Sequence, residues 1–299
     1  STQDLYLTSV ADFVIYNEMP IDTASIIPDK SYLIMWESEV INSNNWDFSK
    51  HCKFKKVFTW HDDLVDNKKY FKINFSHKFP EDKVSYHSRI NPFEDKKLCT
   101  LISGNKIVMH KHELYSERVK IIRWFEEHAI NEFDLYGIGW DRIVTKNKYI
   151  RFISKKIPFI NKFFAPNFPS YKGIVESKCD TLAKYKFAIC YENAQMIEGY
   201  ITEKIFDCFF AGCVPIYWGA PNIAEHIPEN CFIDRRRFDS DDLLYSYLTA
   251  MTKQEYLSIQ QNIEDYLFSP KANPYRAETF ASIIVEHVLN DLKDKHSNV

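Results

Sequence analysis

Phe187-Ala188-Ile189-Cys190-Tyr191 is followed by the polar pair Glu192-Asn193, by Gly199-Tyr200-Ile201-Thr202-Glu203-Lys204, and by Val214-Pro215-Ile216-Tyr217-Trp218-Gly219. The first and third of these blocks have the length and apolar composition of buried strands. Between them, residues 202–210 read as a helix, and residues 222–226 read as a second, short one. Two successive strand–loop–helix units make a parallel α/β sheet. In such sheets ligands lie outside the carboxyl ends of the strands, which singles out the loops at 192–200 and 219–221.

Working outward, residues 98–103 and 133–136 read as further strands, the latter stopped by Gly137-Ile138-Gly139. Ser116-Glu117-Arg118 opens a helix in which Val119, Ile122 and Phe125 recur at helical spacing. Residues 178–184 are predicted helical and 231–234 a strand. Residues 241–265 and 277–292 are predicted helical, with Pro270 and Pro274 breaking the pattern between them. In the N-terminal third, residues 11–16, 32–36 and 56–60 read as strands separated by helical spacers, again the pattern of a parallel sheet covered on both faces. The chain divides on this reading into an N-terminal domain, 1–97, a second domain, 98–268, and a C-terminal helical segment, 269–299, that packs back on the first.

The chain has 299 residues, 45% of them hydrophobic, which is globular composition with room for two domains. A formal charge of −3 argues against a nucleic-acid partner. No apolar run approaches the ~20 residues that span a bilayer. Seven cysteines without a Cys-x-x-Cys spacing suit buried free thiols in a reducing compartment. The chain reads as cytoplasmic. The basic, aromatic stretch 146–162 is a candidate for peripheral contact with the inner face of a membrane, a plain surface loop being the alternative, and a trimmed N-terminal anchor is compatible with either. One sequon, Asn74-Phe75-Ser76, is a match expected by chance.

Thr202 is a good N-cap for the helix after it, so Glu203 and Lys204 fall in the first turn. A lysine there opposes the helix dipole unless an anion shares the site, and the open N–H groups of that turn favour a phosphate or diphosphate. Glu203 offers two acceptor oxygens to the vicinal hydroxyls of a ribose. Gly199 would allow close backbone approach. The competing reading of the Glu203–Lys204 pair is two solvated charges on an amphipathic helix.

Taken together, Lys184-Tyr185-Lys186-Phe187, Tyr191-Glu192-Asn193, residues 199–204 and residues 214–219 resemble the signature of the family 10 glycosyltransferases, the α-1,3/α-1,4-fucosyltransferases, in their bacterial form. The resemblance is dense over 171–238 and weaker toward Ser116-Glu117-Arg118 and Trp36-Glu37-Ser38. It implies a GT-B architecture, two Rossmann-like domains facing each other across a cleft, with GDP-fucose held by the second domain and a GlcNAc-containing glycan as acceptor, as in lipopolysaccharide or other surface-glycan synthesis. By the same resemblance Tyr200, Glu203 and Lys204 bind the nucleotide, Asn193 is a further donor contact and Arg118 neutralises the diphosphate, with Arg123 as the fallback. Glu192, Thr202 and Gly219 are additional donor-site candidates.

Transfer from a β-linked nucleotide sugar to an α-product inverts the anomeric carbon and needs a base for the acceptor hydroxyl. Glu37 is the candidate, because it ends a buried strand of the opposite domain and sits in a Glu-Ser segment like the family's; Glu39 is the fallback. Lys204 and Arg118 meet the leaving charge, so no metal is expected, and no Asp-x-Asp motif appears where one would be needed. Oligomeric state is not legible. Two alternatives remain: a related transferase using another nucleotide sugar, and a non-catalytic glycan-binding protein of the same fold. A dinucleotide-dependent oxidoreductase is set aside, since Gly137-Ile138-Gly139 lacks the third glycine of that fingerprint.

Overall fold

The computed structural model describes residues 10–145, 147, 149, 150, 152, 156 and 164–297. Two parallel sheets dominate. Strands β1 (Val14–Asn17), β2 (Ser31–Met35), β3 (Lys56–Thr59) and β4 (Tyr70–Lys72) pair in the order β1-β2-β3-β4. Strands β5 (Lys97–Ile102), β6 (Phe133–Tyr136), β7 (Tyr185–Tyr191), β8 (Val214–Trp218) and β9 (Ile233–Asp234) pair in the order β6-β5-β7-β8-β9.

All five residues of β2 are buried because both faces of its sheet are covered. Side chains alternate across a strand, so Leu33 and Met35 pack with Tyr16, Phe54 and Val57 on one face. Tyr32 and Ile34 join Phe58 and Phe71 on the other. That second face is closed by the last helix of the chain, Ala277–Ser297, through Ile284 and Val288. Asp291 of this helix accepts from Tyr32 Oη at 2.9 Å and from Lys56 Nζ at 2.9 Å.

The helical spacers expected between these strands are 3-10 turns instead, at Ser43–Trp46, Phe48–Lys53 and Asp62–Leu64. The intervening segments are short and rich in asparagine and aspartate, whose side chains turn the backbone locally, as when Asn42 accepts from the Asn44 amide. Strand β4 was not expected: three residues are too few to show a period.

The second sheet carries α-helices: α1 (Lys83–His87), α2 (Tyr115–His128), α3 (Lys178–Leu182), α4 (Glu203–Phe210), α5 (Ile223–His226), α6 (Asp241–Ala250) and α7 (Lys253–Leu267), before the chain crosses back as α8 (Ala277–Ser297). The helix expected over 241–265 is two helices. Thr252 breaks it by capping α7 reciprocally with Glu255, the Thr-x-x-Glu start signal that a continuous apolar pattern had hidden. In α4, Ile205, Phe206, Cys208 and Phe209 form the buried face.

The chain order across the second sheet reverses between β5 and β7, and the crevice at that switch point is where doubly wound sheets bind ligands. The two lobes meet there through an apolar cluster in which Val40 and Trp60 of the first pack on Tyr115, Ala194 and Tyr200 of the second. The sequon asparagine, Asn74, is buried with its Nδ2 donating to the Pro274 carbonyl. Among the described residues no helix is long and apolar enough to cross a membrane. Most of the stretch 146–162, read above as a membrane-contact candidate, lies outside the described residues.

Candidate active site

Strand β7 delivers Glu192 at its carboxyl end, and this side chain is wholly buried. A carboxylate taken out of water must be paired and hydrogen-bonded. Glu192 is both: it accepts from the Thr202 amide at 2.8 Å, from Thr202 Oγ1 at 2.6 Å and from Lys204 Nζ at 3.0 Å. Lys204 also donates to Thr202 Oγ1 at 2.8 Å. Burial works against the ammonium charge, but the carboxylates of Glu192 and Glu203 outweigh it and hold Lys204 above its ordinary value. Thr202 stands at the N-cap of α4 without making a side-chain cap bond, because its hydroxyl is spent on Glu192.

Arg118 comes from the first turn of α2. Its Nη2 donates to the Tyr191 carbonyl at 2.6 Å and to Asn193 Oδ1 at 3.0 Å, and its guanidinium lies 4.8 Å from the centre of the Tyr115 ring. Asn193 Nδ2 is 3.4 Å from Tyr200 Oη. Desolvation lowers the Arg118 pKa, from a starting value so high that the group stays cationic.

Opposite these, Glu37 follows the end of β2. The Glu37 amide donates to Glu18 Oε1 at 3.0 Å and the Glu37 carbonyl accepts from Trp46 Nε1 at 3.2 Å, so the backbone at this point is tied. Burial raises the Glu37 pKa above the ordinary carboxylate value and the charge of Glu18 raises it further, while Lys204 and Lys106 pull the other way.

Glu37, Arg118, Lys204 and Glu203 line a single cavity of about 480 Å³ between the lobes; Asn193, Tyr200 and Thr202 line it too. The other candidates do not. Glu192 is hydrogen-bonded to Lys204 and Thr202, which line the cavity in its place. Gly219 is buried where an added Cβ would lie 2.5 Å from Glu192 Cγ, so its missing side chain makes room for Glu192 rather than for a ligand. Glu39, the fallback base, is exposed and faces His110 Nε2 at 3.7 Å. Arg123, the fallback for Arg118, pairs with Glu126, donates to the Asn167 carbonyl and covers the Phe168 ring. Gly199 has φ +74°, and a Cβ there would lie 2.4 Å from the Trp60 carbonyl oxygen. The close approach it permits is therefore to the other lobe and not to a ligand.

The cavity also holds residues that the sequence reading passed over. Lys178, at the first position of α3, reaches Glu203 Oε1 at 3.9 Å and Asp207 Oδ2 at 3.1 Å. The signal was available, since a lysine opening a helix after a serine cap is the argument already applied to Lys204. Lys106 and Glu176 sit on loops that carry no such pattern. Burial raises the Glu203 pKa, but Lys204 and Lys178 together offset that and bring it below its ordinary value. Among the described residues no group of three or more histidine, cysteine, aspartate or glutamate side chains is arranged to hold a metal ion.

A family model described as glycosyltransferase family 10 (fucosyltransferase), C-terminal part, matches residues 95–267. An alpha-(1,3)-fucosyltransferase of Helicobacter pylori is 33% identical over 112 residues, 37% of this chain and 23% of that protein. A GDP-fucose protein O-fucosyltransferase 3 of Xenopus tropicalis is 40% identical over 80 residues, 26% of this chain and 17% of that one. The chain thus matches less than a quarter of the length of these relatives. Among solved structures, an alpha1,3-fucosyltransferase with GDP-fucose superposes with a TM-score of 0.51 at 18% identity, over 87% of this chain and 69% of that one. An alpha-glucosyltransferase in complex with UDP gives a TM-score of 0.57 at 12% identity, over 95% and 82%. At these identities the structures share the fold, and that fold is GT-B.

Proposed function

The chain belongs to glycosyltransferase family 10, and from that premise we propose that it transfers L-fucose from GDP-fucose to a hydroxyl of a GlcNAc-containing glycan, forming an α-1,3 linkage with inversion. The observation that carries this reading is that Lys204 and Arg118 of one lobe and Glu37 of the other line the same cavity.

In the reaction the bond between the anomeric carbon and the β-phosphate oxygen breaks, and GDP leaves with the electron pair. The acceptor oxygen bonds to the opposite face of that carbon and gives up its proton to Glu37. A carboxylate with a raised pKa suits this step, because it is a stronger base than an ordinary carboxylate. Negative charge grows on the diphosphate as the bond breaks, and Lys204 and Arg118, both fixed before the reaction begins, are the groups that stabilise it. Glu203 takes the ribose hydroxyls. With two fixed cations in this role the reaction needs no divalent ion, so turnover in excess EDTA should match turnover with magnesium.

The test is a thermal-shift panel of GDP, UDP, CMP and NAD, followed by transfer from GDP-fucose to a GlcNAc-containing acceptor. Selective stabilisation by GDP and release of GDP dependent on the acceptor are expected. Stabilisation by UDP equal to that by GDP would assign a different donor.

A further inference from the structure

Nothing in the transfer chemistry uses the acidic pair that follows β3, yet the Asp62 carboxylate is held by three partners on the seam between the lobes. Its Oδ2 accepts from Asn222 Nδ2 at 2.9 Å and from His226 Nε2 at 2.9 Å, both at α5 of the opposite lobe. Lys72 of its own lobe holds Oδ1. Burial raises the Asp62 pKa, but these three hydrogen-bonding partners more than reverse it and keep the carboxyl far below its usual range.

Asn222 passes the contact on. Its Oδ1 accepts from the Gly199 amide at 3.0 Å, and Gly199 is the residue with no room for a side chain against the Trp60 carbonyl. The Trp60 ring lies 4.7 Å from the Tyr200 ring. On its other side, Trp60 Nε1 donates to the Trp36 carbonyl at 2.7 Å, the residue before Glu37. One short series of contacts therefore joins the backbone that carries Glu37 to the loop that carries Tyr200 and leads into Lys204.

We propose that Asp62 is a positioning residue for transfer: by clasping Asn222 and His226 across the seam it fixes the spacing between the lobe bearing Glu37 and the donor loop 193–204. The apolar cluster beside it, with Trp60 and Tyr200, supplies adhesion, but burial of apolar surface is non-directional and tolerates sliding. Hydrogen bonds to a fixed carboxylate do not. A base misplaced by about 1 Å can cost about 100-fold in rate, so the clasp bears on turnover far more than on nucleotide binding, whose residues all belong to one lobe. This inference rests on the reading of Glu37 as the base.

The experiment compares Asp62→Ala, Asn222→Ala and the double variant by kcat for fucosyl transfer, by Kd for GDP from calorimetry and by radius of gyration from solution scattering. Each single variant should lose at least about tenfold in kcat while GDP affinity stays within about threefold. The double variant should be no worse than the more impaired single one, since both break the same clasp. Wild-type kcat in both single variants, losses that multiply in the double variant, or GDP affinity falling in step with kcat/KM would overturn the proposal. Asp62→Asn, which keeps the shape and one acceptor oxygen, serves if the alanine variants fail to fold, and a loss smaller than theirs with unchanged GDP affinity is expected. Should the wild-type protein transfer no fucose, the functional reading fails first. The clasp is then judged by scattering alone: a larger radius for Asp62→Ala supports it and an unchanged one refutes it.

Discussion

Replacing Lys204 by methionine removes two interactions that can be separated by a second change. The first is internal. Glu192 is wholly buried, and Lys204 is its cationic partner. Removing one member of a buried pair costs about 3–5 kcal/mol because a charge is left behind. Glu192 keeps the Thr202 amide and hydroxyl as donors, which puts the expected loss at the lower end, about 3 kcal/mol. For a domain of this size that is a fall of about 6–12 °C in Tm. The second interaction is with the nucleotide: a charge-assisted hydrogen bond to phosphate is worth about 1.5–3 kcal/mol, or about 10- to 150-fold in GDP affinity. Adding Glu192→Gln to Lys204→Met neutralises the stranded carboxylate, so Tm should recover most of its loss while GDP affinity stays low. Differential scanning fluorimetry and titration calorimetry on the wild type and the two variants read the two effects separately. If the double variant regains GDP affinity along with Tm, or if Lys204→Met binds GDP within threefold of wild type, Lys204 serves the fold and not the donor.

Glu37→Gln should keep GDP affinity and lose about 100- to 10,000-fold in kcat, while Glu39→Gln, on an exposed residue outside the cavity, should stay within about twofold, both read in a transfer assay. The acid limb of the kcat–pH profile should lie above the ordinary carboxylate value of 4.5, since the base must be ionised and Glu37 is raised. Activity is lost as pH falls through the raised pKa of Glu37, and Glu18→Gln, which removes a like charge, should move the limb to lower pH. His77 stacks on Phe206, and burial lowers its pKa to about 4 from 6.5, with Glu203 opposing. The folded state thus favours the neutral ring: its contribution is intact above pH 6.5 and is lost as pH falls toward 4. That amounts to about 3 kcal/mol of stability measured by urea unfolding across the window, and His77→Gln should flatten the slope.

Most of the second lobe was legible because its central strands are apolar and are followed by helices; residues 133–136 and 214–218 are strands with the bounds read from sequence. The first lobe was legible only in its strands. Its connections are turns built by asparagine and aspartate, and its helical cover comes from residues more than 200 positions away in α8; the C-terminal segment was expected to pack back on this lobe, but which sheet face it covers has no local signal. The same limit applied to the site. Residues within one βα unit, Thr202, Glu203 and Lys204, could be placed by helix-start chemistry, whereas the partners of Asp62 could not be read from Asp62-Asp63 at all. Gly199 shows how a correct inference of close approach can name the wrong neighbour: the glycine was recognisably special, and what it approaches lies in another domain.

The lysine at the start of α4 was expected to need an external anion, yet the protein supplies Glu192 from within. This does not remove the case for a phosphate; it changes what the lysine contributes. An ammonium group has three N–H donors. Two of them are committed, to Glu192 Oε2 and to Thr202 Oγ1, which fixes the direction of the third. With its charge matched by Glu192, Lys204 is an aimed donor more than a free positive charge, and the long-range attraction for a diphosphate falls to Arg118, whose guanidinium donates to the Tyr191 carbonyl and to Asn193 rather than to a carboxylate and which lines the same cavity. Such an arrangement separates attraction from alignment. A site that only collected cations would hold the product GDP, which carries more charge, more tightly than the donor nucleotide. A donor fixed in advance toward one oxygen gains strength as charge builds on that oxygen, which is the condition for lowering the barrier and not merely for binding.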